Sequence, residues 1–288
     1  MCPDFKILGM DLYSILLVVG VIAAMAIMRI LADHRGYTAQ WQNFVLCLTI
    51  AAVILGYGAS VVVQGLYNIR EIGHFELTND TGATFYGGLV GGAGTFLLGY
   101  FLVGHFLFRD GYHLRRFRSL LSLACCSITG AHGFGRLGCL CAGCCYGAKT
   151  DAWYGITMKY LGYKVIPTQL FEAIFLFLLC GLLLFMFYKR MAHGMPVYMM
   201  SYAVWRFLIE YLRDDYRGTT VVSFLTPSQF VAVVMFIGGA ALLVWEIVCE
   251  KKIPAVELDD RDREAIAAAR AEAHDAEKAQ DEPEGDDA

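Results

Sequence analysis

The sequence predicts an all-α integral membrane protein of seven transmembrane helices that ends in an acidic tail. Of its 288 residues, 57% are hydrophobic and 17% are charged, whereas soluble globular domains have about 45–50% apolar and about 25% charged residues. The apolar residues form long runs, and a helix needs about 20 residues to cross the hydrocarbon core of a bilayer. Because unpaired backbone groups cannot face lipid, each run is predicted to be an α-helix.

Seven runs are long enough to cross the membrane, and together they predict one membrane domain over residues 1–249. The first run lacks the basic start and the cleavage pattern of a signal peptide and is too long for one, so it is interpreted as a helix. The predicted spans are residues 11–32, 44–66, 84–107, 119–140, 168–188, 196–213 and 227–249.

Positive charge in the connecting loops predicts the orientation, because cytoplasmic loops of membrane proteins are rich in lysine and arginine. Arg115, Arg116 and Arg118 lie between the third and fourth runs, and Lys189 and Arg190 follow the fifth. These loops are therefore predicted to be cytoplasmic. With seven spans, the N-terminus is then outside and the C-terminus is cytoplasmic.

Residues 250–288 form the acidic tail, in which fourteen side chains are acidic and six are basic. A segment with this composition cannot bury enough apolar surface to fold by itself. The tail is predicted to be cytoplasmic and largely disordered.

Polar residues inside the runs are candidate functional residues, because an ionisable group in a span costs at least ~2.5–3.5 kcal/mol on insertion scales. Successive spans run in opposite directions, so the polar positions near their ends fall on one side of the membrane. The predicted orientation makes this the outer side. The positions are Tyr13, Tyr86, Arg136, Gln169, Glu172, Arg206 and Glu210.

Tyr202, Arg206 and Glu210 are spaced four residues apart, which places them in one stripe along the sixth helix. One interpretation is that Arg206 and Glu210 simply neutralise each other. The other is that Arg136 and Arg206 outnumber the nearby acidic residues. Two such guanidinium groups are suited to binding a phosphate in bidentate fashion.

Glycines mark the start of the third run and the end of the fourth. Gly87 and Gly88 allow close packing of helices, and they also expose backbone N–H groups to which an anionic lipid headgroup could bind. Both roles remain open. The segment GAHGFGRLGCLCAGCCYG, which contains Arg136, predicts an irregular re-entrant segment that lines a cavity.

Cys139, Cys141, Cys144 and Cys145 lie among glycines at a membrane boundary. Zinc sites usually combine pairs of ligands from two segments, and no second pair is evident, so neither a metal nor another cofactor is predicted. The outward compartment is one in which disulfides persist. A disulfide between two of Cys139, Cys144 and Cys145 and a packing role for reduced thiols both remain open.

At these residues the sequence resembles the prolipoprotein diacylglyceryl transferase family, over essentially residues 5–249. Five motifs carry the resemblance, in the order and spacing of the family. They are Leu12-Tyr13, Tyr86-Gly87-Gly88-Leu89-x-Gly91, Gly135-Arg136-x-Gly138-Cys139, Pro167-Thr168-Gln169-Leu170-Phe171-Glu172 and Tyr202-x3-Arg206-x3-Glu210.

The resemblance implies a transferase of the bacterial inner membrane, with its active site toward the outer leaflet and no cofactor. Its substrates would be phosphatidylglycerol, a membrane lipid, and the lipobox cysteine in the signal peptide of a prolipoprotein; no nucleic acid is expected as a partner. By resemblance Tyr86, Arg136, Arg206 and Glu210 are the catalytic candidates. The substrate-binding candidates are Tyr13, Gly87, Gly88, Cys139, Gln169 and Tyr202.

The sequence departs from the family at three of these positions. Tyr86 replaces a histidine, Cys139 an asparagine and Cys144 a glutamate. A tyrosine, with a pKa of about 10, cannot normally take a thiol proton at neutral pH, whereas a histidine of pKa about 6.5 can. Tyr86 is therefore interpreted as an orienting group or a proton donor.

Two alternatives to a transferase follow from the residues. One is a membrane protein on the same scaffold that uses Cys139, Cys144 and Cys145 as a thiol or disulfide centre. The other is a transporter, which buried arginines favour. The absence of an internal sequence repeat argues against a transporter.

Overall fold

The computed structural model describes residues 6–7, 9–72, 84–213 and 224–252, together with residues 264 and 268. Two short antiparallel hairpins accompany the helices: β1 (Lys6–Ile7) pairs with β2 (Met10–Asp11), and β3 (Ile156–Thr157) pairs with β4 (Lys164–Val165). The helices are α1 (Leu12–His34), α2 (Ala39–Ile72), α3 (Phe85–Leu107), α4 (Tyr112–Arg115), α5 (Phe117–Ala142), α6 (Thr168–Tyr188), α7 (Gly194–Ile209) and α8 (Pro227–Lys252).

A helix lies at each of the seven predicted positions, so the all-α prediction is confirmed. Five of them, α1, α2, α3, α6 and α8, are long and apolar enough to cross a membrane. The other two are different: α7 has only 16 residues, and α5 contains His132 and Arg136 among serines, cysteines and glycines. The count of seven spans and the orientation remain predictions.

Several predicted boundaries differ from the observed ones, and two helices are longer than predicted by three residues or more at one end or both. Helix α2 has 34 residues and extends beyond both ends of the predicted 44–66 span. Helix α8 continues to Lys252, so the first residues of the predicted tail are helical. Apart from residues 264 and 268, the rest of the tail lies outside the described residues.

The chain divides into two compact units, the first formed by residues 1–31 and 118–288 and the second by residues 32–117. In the second unit, α2 and α3 pack closely at their glycines. A Cβ atom at Gly56 would lie 3.0 Å from Cα of Gly92, and one at Gly87 would lie 3.0 Å from the carbonyl oxygen of Ala59. The packing role of Gly87 is therefore confirmed, and its headgroup-binding role stays a prediction.

The basic loop that predicts the orientation is well packed. Arg116 is buried in the second unit, with its guanidinium carbon 4.8 Å from the ring centroid of Tyr37 and 5.1 Å from that of Tyr112. Arg118, in the first unit, forms an ion pair with Glu250. Two of these arginines thus hold the fold together as well as carrying charge.

The first unit has a buried inner face and an apolar outer face. Along α6, Glu172, Leu176 and Leu183 are buried, while Leu178, on the other side of the helix, is 71% exposed. Helices α5 and α6 approach closely, since a Cβ atom at Gly133 would lie 2.8 Å from the ring of Phe177. An exposed apolar surface around buried polar groups is the arrangement expected of a protein in lipid.

One expectation about local structure is wrong. The segment around Arg136 is a regular α-helix as far as Ala142, and the chain turns only at Gly143, which has a φ of 74°. The small residues here serve close helix packing and leave the backbone regular. The sixth predicted span, residues 196–213, corresponds to α7 and the 3₁₀ turn Glu210–Leu212 that follows it directly, a common ending for a helix.

The orientation can be tested by labelling single cysteines in a chain whose native cysteines are replaced. We expect a cysteine at Arg109 to react with an impermeant maleimide only after the cells are permeabilised, because the basic loop is predicted to be cytoplasmic. A cysteine at Trp153, which is 92% exposed, should react in intact cells. Labelling of position 109 in intact cells would show the predicted orientation to be wrong.

Candidate active site

Arg136, Glu172 and Tyr202 form a polar network that joins α5, α6 and α7 within the first unit. Nε of Arg136 lies 3.1 Å from Oε1 of Glu172, and the Tyr202 hydroxyl donates a hydrogen bond of 2.7 Å to the same oxygen. A longer contact of 3.5 Å joins Nη2 of Arg136 to the Tyr202 oxygen. Because Glu172 is completely buried, its charge depends on Arg136 for compensation.

His132 extends this network by one turn of α5. Its Nε2 atom lies 3.4 Å from the Tyr202 hydroxyl oxygen, and the two ring centroids are 4.8 Å apart at an angle of 64°. Since Tyr202 donates its proton to Glu172, its oxygen is an acceptor toward His132. This geometry favours the tautomer with a proton on Nε2, which leaves Nδ1 as an acceptor.

A second ion pair, between Arg206 and Glu210, lies at the end of α7. Nη2 of Arg206 is 2.8 Å from Oε2 of Glu210 and donates a 2.6 Å hydrogen bond to the Ser228 hydroxyl in α8. The Thr226 hydroxyl donates a 2.9 Å hydrogen bond to Oε1 of Glu210. Both charged residues are buried, so the beginning of α8 holds the pair in place.

The expected surplus of cations is therefore wrong. Glu172 compensates Arg136 and Glu210 compensates Arg206, so the pairing interpretation of Arg206 and Glu210 is confirmed. Compensation is nevertheless incomplete at the level of hydrogen bonds. Nη1 of Arg206, Oε2 of Glu172 and Oε1 of Gln169 are buried without a hydrogen-bond partner among the described residues. Such a group costs about 1–3 kcal/mol, so these atoms are candidate contacts for a bound polar ligand.

The three candidate cysteines, Cys139, Cys144 and Cys145, cluster at the C-terminal end of α5. The Sγ atoms of Cys139, Cys144 and Cys145 all lie within 4.8 Å of one another. Two residues, Gly143 with a φ of 74° and Cys145 with a φ of 63°, turn the chain back so that the thiols meet. A positive φ is uncommon for a residue other than glycine, so the surrounding contacts must stabilise the conformation of Cys145.

Helix α6 supplies those contacts. The Gln169 side-chain nitrogen donates a hydrogen bond to the carbonyl oxygen of Cys144, and the Thr168 hydroxyl donates a 2.9 Å bond to that of Cys145. None of the nine cysteines in the described part of the chain is in a disulfide. A bridge between Cys139 and Cys144 stays a prediction.

Cys144 lies beyond the end of α5 and outside the predicted span of residues 119–140. A hydrogen bond with Cys139 lowers its pKa, but a hydrogen bond with Cys145 together with burial outweighs this effect, and the net result is a raised pKa. At neutral pH its side chain is therefore a thiol rather than a thiolate.

Tyr13 packs against the helix that carries Arg136. A Cβ atom at Gly138 would lie 3.1 Å from Cδ2 of Tyr13, so a larger residue there would crowd the ring. Arg136 and Cys139 both lie within electrostatic range of the Tyr13 hydroxyl. The first unit thus brings together Tyr13, Arg136, Cys139, Gln169 and Tyr202, as the sequence predicts.

Three other predicted residues, Tyr86, Gly87 and Gly88, belong to the second unit, where the side chain of Tyr86 is 39% exposed. Sequence analysis missed His132, Ser228 and Thr226. The signal for His132 was its spacing of four residues from Arg136, which places both on one face of α5. No sequence signal pointed to Ser228 or Thr226, because serine and threonine are ordinary residues at a helix start.

Comparison with known proteins identifies the family of this chain. The family model for prolipoprotein diacylglyceryl transferase matches residues 4–245. The phosphatidylglycerol–prolipoprotein diacylglyceryl transferase 2 of Clostridium perfringens is 32% identical over 250 residues, which cover 82% of this chain and 92% of the relative. The corresponding transferase of Clostridium tetani is 30% identical, with coverage of 82% and 93%. The chain belongs to the prolipoprotein diacylglyceryl transferase family.

Proposed function

We propose that this protein transfers the diacylglyceryl group of phosphatidylglycerol to the lipobox cysteine in the signal peptide of a bacterial prolipoprotein. The observation that carries the proposal is the contact of Arg136, Glu172 and Tyr202, which come from three separate family motifs. The relatives named for this activity support it, and they favour it over a thiol or disulfide centre on the same scaffold.

In this reaction the cysteine sulfur attacks the glyceryl carbon that carries the phosphate ester. A carbon–sulfur bond forms, the carbon–oxygen bond to the phosphate breaks, and glycerol phosphate leaves with the bonding electrons. The thiol proton must pass to a base. The protein therefore has three tasks: to position the lipid, to balance the phosphate charge and to accept one proton.

Arg136 and Arg206 are the proposed phosphate ligands. Each keeps one side of its guanidinium group in an ion pair, with Glu172 and Glu210 respectively. Nη1 of Arg206, buried and without a hydrogen bond among the described residues, is suited to a phosphate oxygen. Glu210 and Ser228 orient Arg206, while Tyr13 and Tyr202 supply hydroxyl groups for the headgroup.

His132 is the proposed acceptor of the thiol proton. Tyr86, which replaces the family histidine, has too high an ordinary pKa for this task. His132 is held by Tyr202 through Nε2, which leaves Nδ1 to accept a proton.

The site is proposed to lie toward the outer leaflet. Arg136 is eighteen residues beyond Arg118 along α5, which corresponds to about 27 Å of helix, close to the thickness of the hydrocarbon core at about 30 Å. Arg118 borders the loop that is predicted to be cytoplasmic. The two acyl chains of the lipid would remain in the membrane while the headgroup enters the site.

Replacing Arg206 by lysine tests the phosphate contact. We expect Arg206→Lys to lower kcat/KM for phosphatidylglycerol by about 10²-fold or more, because an ammonium group cannot make a planar two-pronged contact. Arg136→Ala should cause a comparable loss. Transfer of labelled diacylglycerol to a lipobox peptide in membranes measures the effect.

The matched control is Arg115→Lys, at an arginine that pairs with Asp110 in the second unit, and it should retain the activity of the unmodified protein. Full activity of Arg206→Lys would show that charge alone is sufficient and that the bidentate contact is wrong.

The His132→Gln variant tests the base. We expect kcat to fall about 10²–10⁴-fold at neutral pH with little change in KM, since glutamine keeps a polar contact to Tyr202. The loss should shrink as the pH rises past about 8.5, where the substrate thiol ionises without a base. His105→Gln, at an exposed histidine of α3, is the control. A His132→Gln variant with normal kcat and a normal pH profile would exclude this role.

A further inference from the structure

The cysteine cluster, Cys139, Cys144 and Cys145, has a geometry that the transferase reaction does not need. All three Sγ atoms lie within 4.8 Å of one another. Sulfur atoms that share one metal ion at about 2.3 Å are about 4 Å apart in a trigonal arrangement. The observed cluster is therefore within a small side-chain movement of a three-sulfur coordination site.

We propose that Cys139, Cys144 and Cys145 bind one Cu(I) ion through three thiolate sulfurs. On binding, three sulfur–copper bonds form and the three thiol protons are released to water. The proposal is separate from the transferase function and does not depend on it.

The number and type of the ligands favour Cu(I) over zinc. Zinc in structural sites almost always takes four ligands in a tetrahedron, whereas among the described residues this cluster contains three cysteine thiols and no further histidine, cysteine or carboxylate. Thiolate is a soft ligand that selects soft ions, Cu(I) among them. The sequence alone did not predict a metal, because Cys139 is separated from the other two and only the fold brings it next to them.

The backbone around the cluster is fixed from outside, which a metal site requires. The hydrogen bonds from Gln169 and Thr168 to the carbonyl oxygens of Cys144 and Cys145 hold a turn in which Cys145 has a φ of 63°. A packing role for small thiols would not require a non-glycine residue in this conformation. Arg136 lies within electrostatic range of Cys139, so its charge offsets part of the negative charge of three thiolates.

The ion also has a route to the site. Cys144 and Cys145 line a surface cavity of about 360 Å³, together with Gly143, Tyr146, Met158 and Tyr160, and the Cys144 side chain is exposed. A metal ion can therefore reach the sulfurs from the surface.

The test uses the full-length protein purified in detergent under anaerobic conditions and titrated with Cu(I) against a chromogenic chelator. We expect one ion per chain, with three sulfur neighbours in X-ray absorption. Cys139→Ser, Cys144→Ser and Cys145→Ser should each weaken the affinity by more than about 100-fold, because loss of a ligand exceeds the 10–100-fold effect of losing an outer partner. Thr168→Val, which removes only such a partner, should weaken it by about tenfold.

Cys141→Ser is the matched control, since Cys141 lies between the ligands in sequence but outside the cluster, and its affinity should equal that of the unmodified protein. Size-exclusion profiles establish that each variant is folded. The proposal is overturned by a failure to bind Cu(I), by equal losses in Cys141→Ser and Cys144→Ser, or by peptide mapping that finds a disulfide among the three cysteines in the anaerobic protein.

Discussion

The ion pair between Arg136 and Glu172 is the interaction on which the rest of the site depends. Glu172 is fully buried, and a charge in that environment is tolerated only when a partner lies beside it. The pair fixes α5 against α6, and the hydroxyl of Tyr202 adds α7 through the same carboxylate oxygen. Removing one partner of such a pair typically costs about 3–5 kcal/mol. Site geometry and helix packing are thus maintained by the same few atoms.

The two-pair arrangement reconciles membrane insertion with binding of an anion. Isolated arginines within a span would be costly, and an acidic partner for each removes most of that cost. A guanidinium group has five N–H donors, so one carboxylate leaves others for a ligand. In Arg206 the Nη2 atom contacts Glu210 and Ser228, whereas Nη1 has no hydrogen-bond partner among the described residues. The ion pair of Arg206 and Glu210 is therefore neutral overall, but Nη1 of Arg206 can still donate a hydrogen bond in a fixed direction.

Much of the fold could be predicted from the sequence. The apolar runs of α1, α2, α3, α6 and α8 are long enough to identify each of them as a candidate membrane-spanning helix. The runs at α5 and α7 were also located. Their character was harder to infer: α5 is regular although its glycines suggested otherwise, since Gly133 and Gly138 provide room for Phe177 and Tyr13. Which residues pack against a glycine depends on tertiary contacts that periodicity does not reveal.

The site was predictable to the extent that its residues occur in family motifs, which identified Arg136, Gln169, Tyr202, Arg206 and Glu210. The charge pairing was misjudged, because the partner of Arg136 is on another helix and composition cannot assign partners. His132 was missed for a related reason. A histidine within an apolar helix can be recognised as a candidate site residue only when its contact with Tyr202 is known. The cysteine cluster could not be predicted from the sequence either, since the left-handed backbone conformation of Cys145 brings its thiol next to the other two.

The length of α2 has a consequence for the membrane surface. Its 34 residues give a rod of about 51 Å, and at the largest common tilt of about 40° the rod still rises about 39 Å along the bilayer normal. The hydrocarbon core is only about 30 Å thick, so tilting cannot fit the whole length of a spanning α2 within it. The polar end of α2 fits this excess: Gln64 bonds to Asn68 at 2.9 Å and accepts a 2.8 Å bond from the Thr84 hydroxyl at the start of α3. An α2 that crosses the membrane therefore extends beyond the hydrocarbon core, and the hydrogen-bonded polar side chains at this end are suited to the interfacial region rather than to the lipid tails.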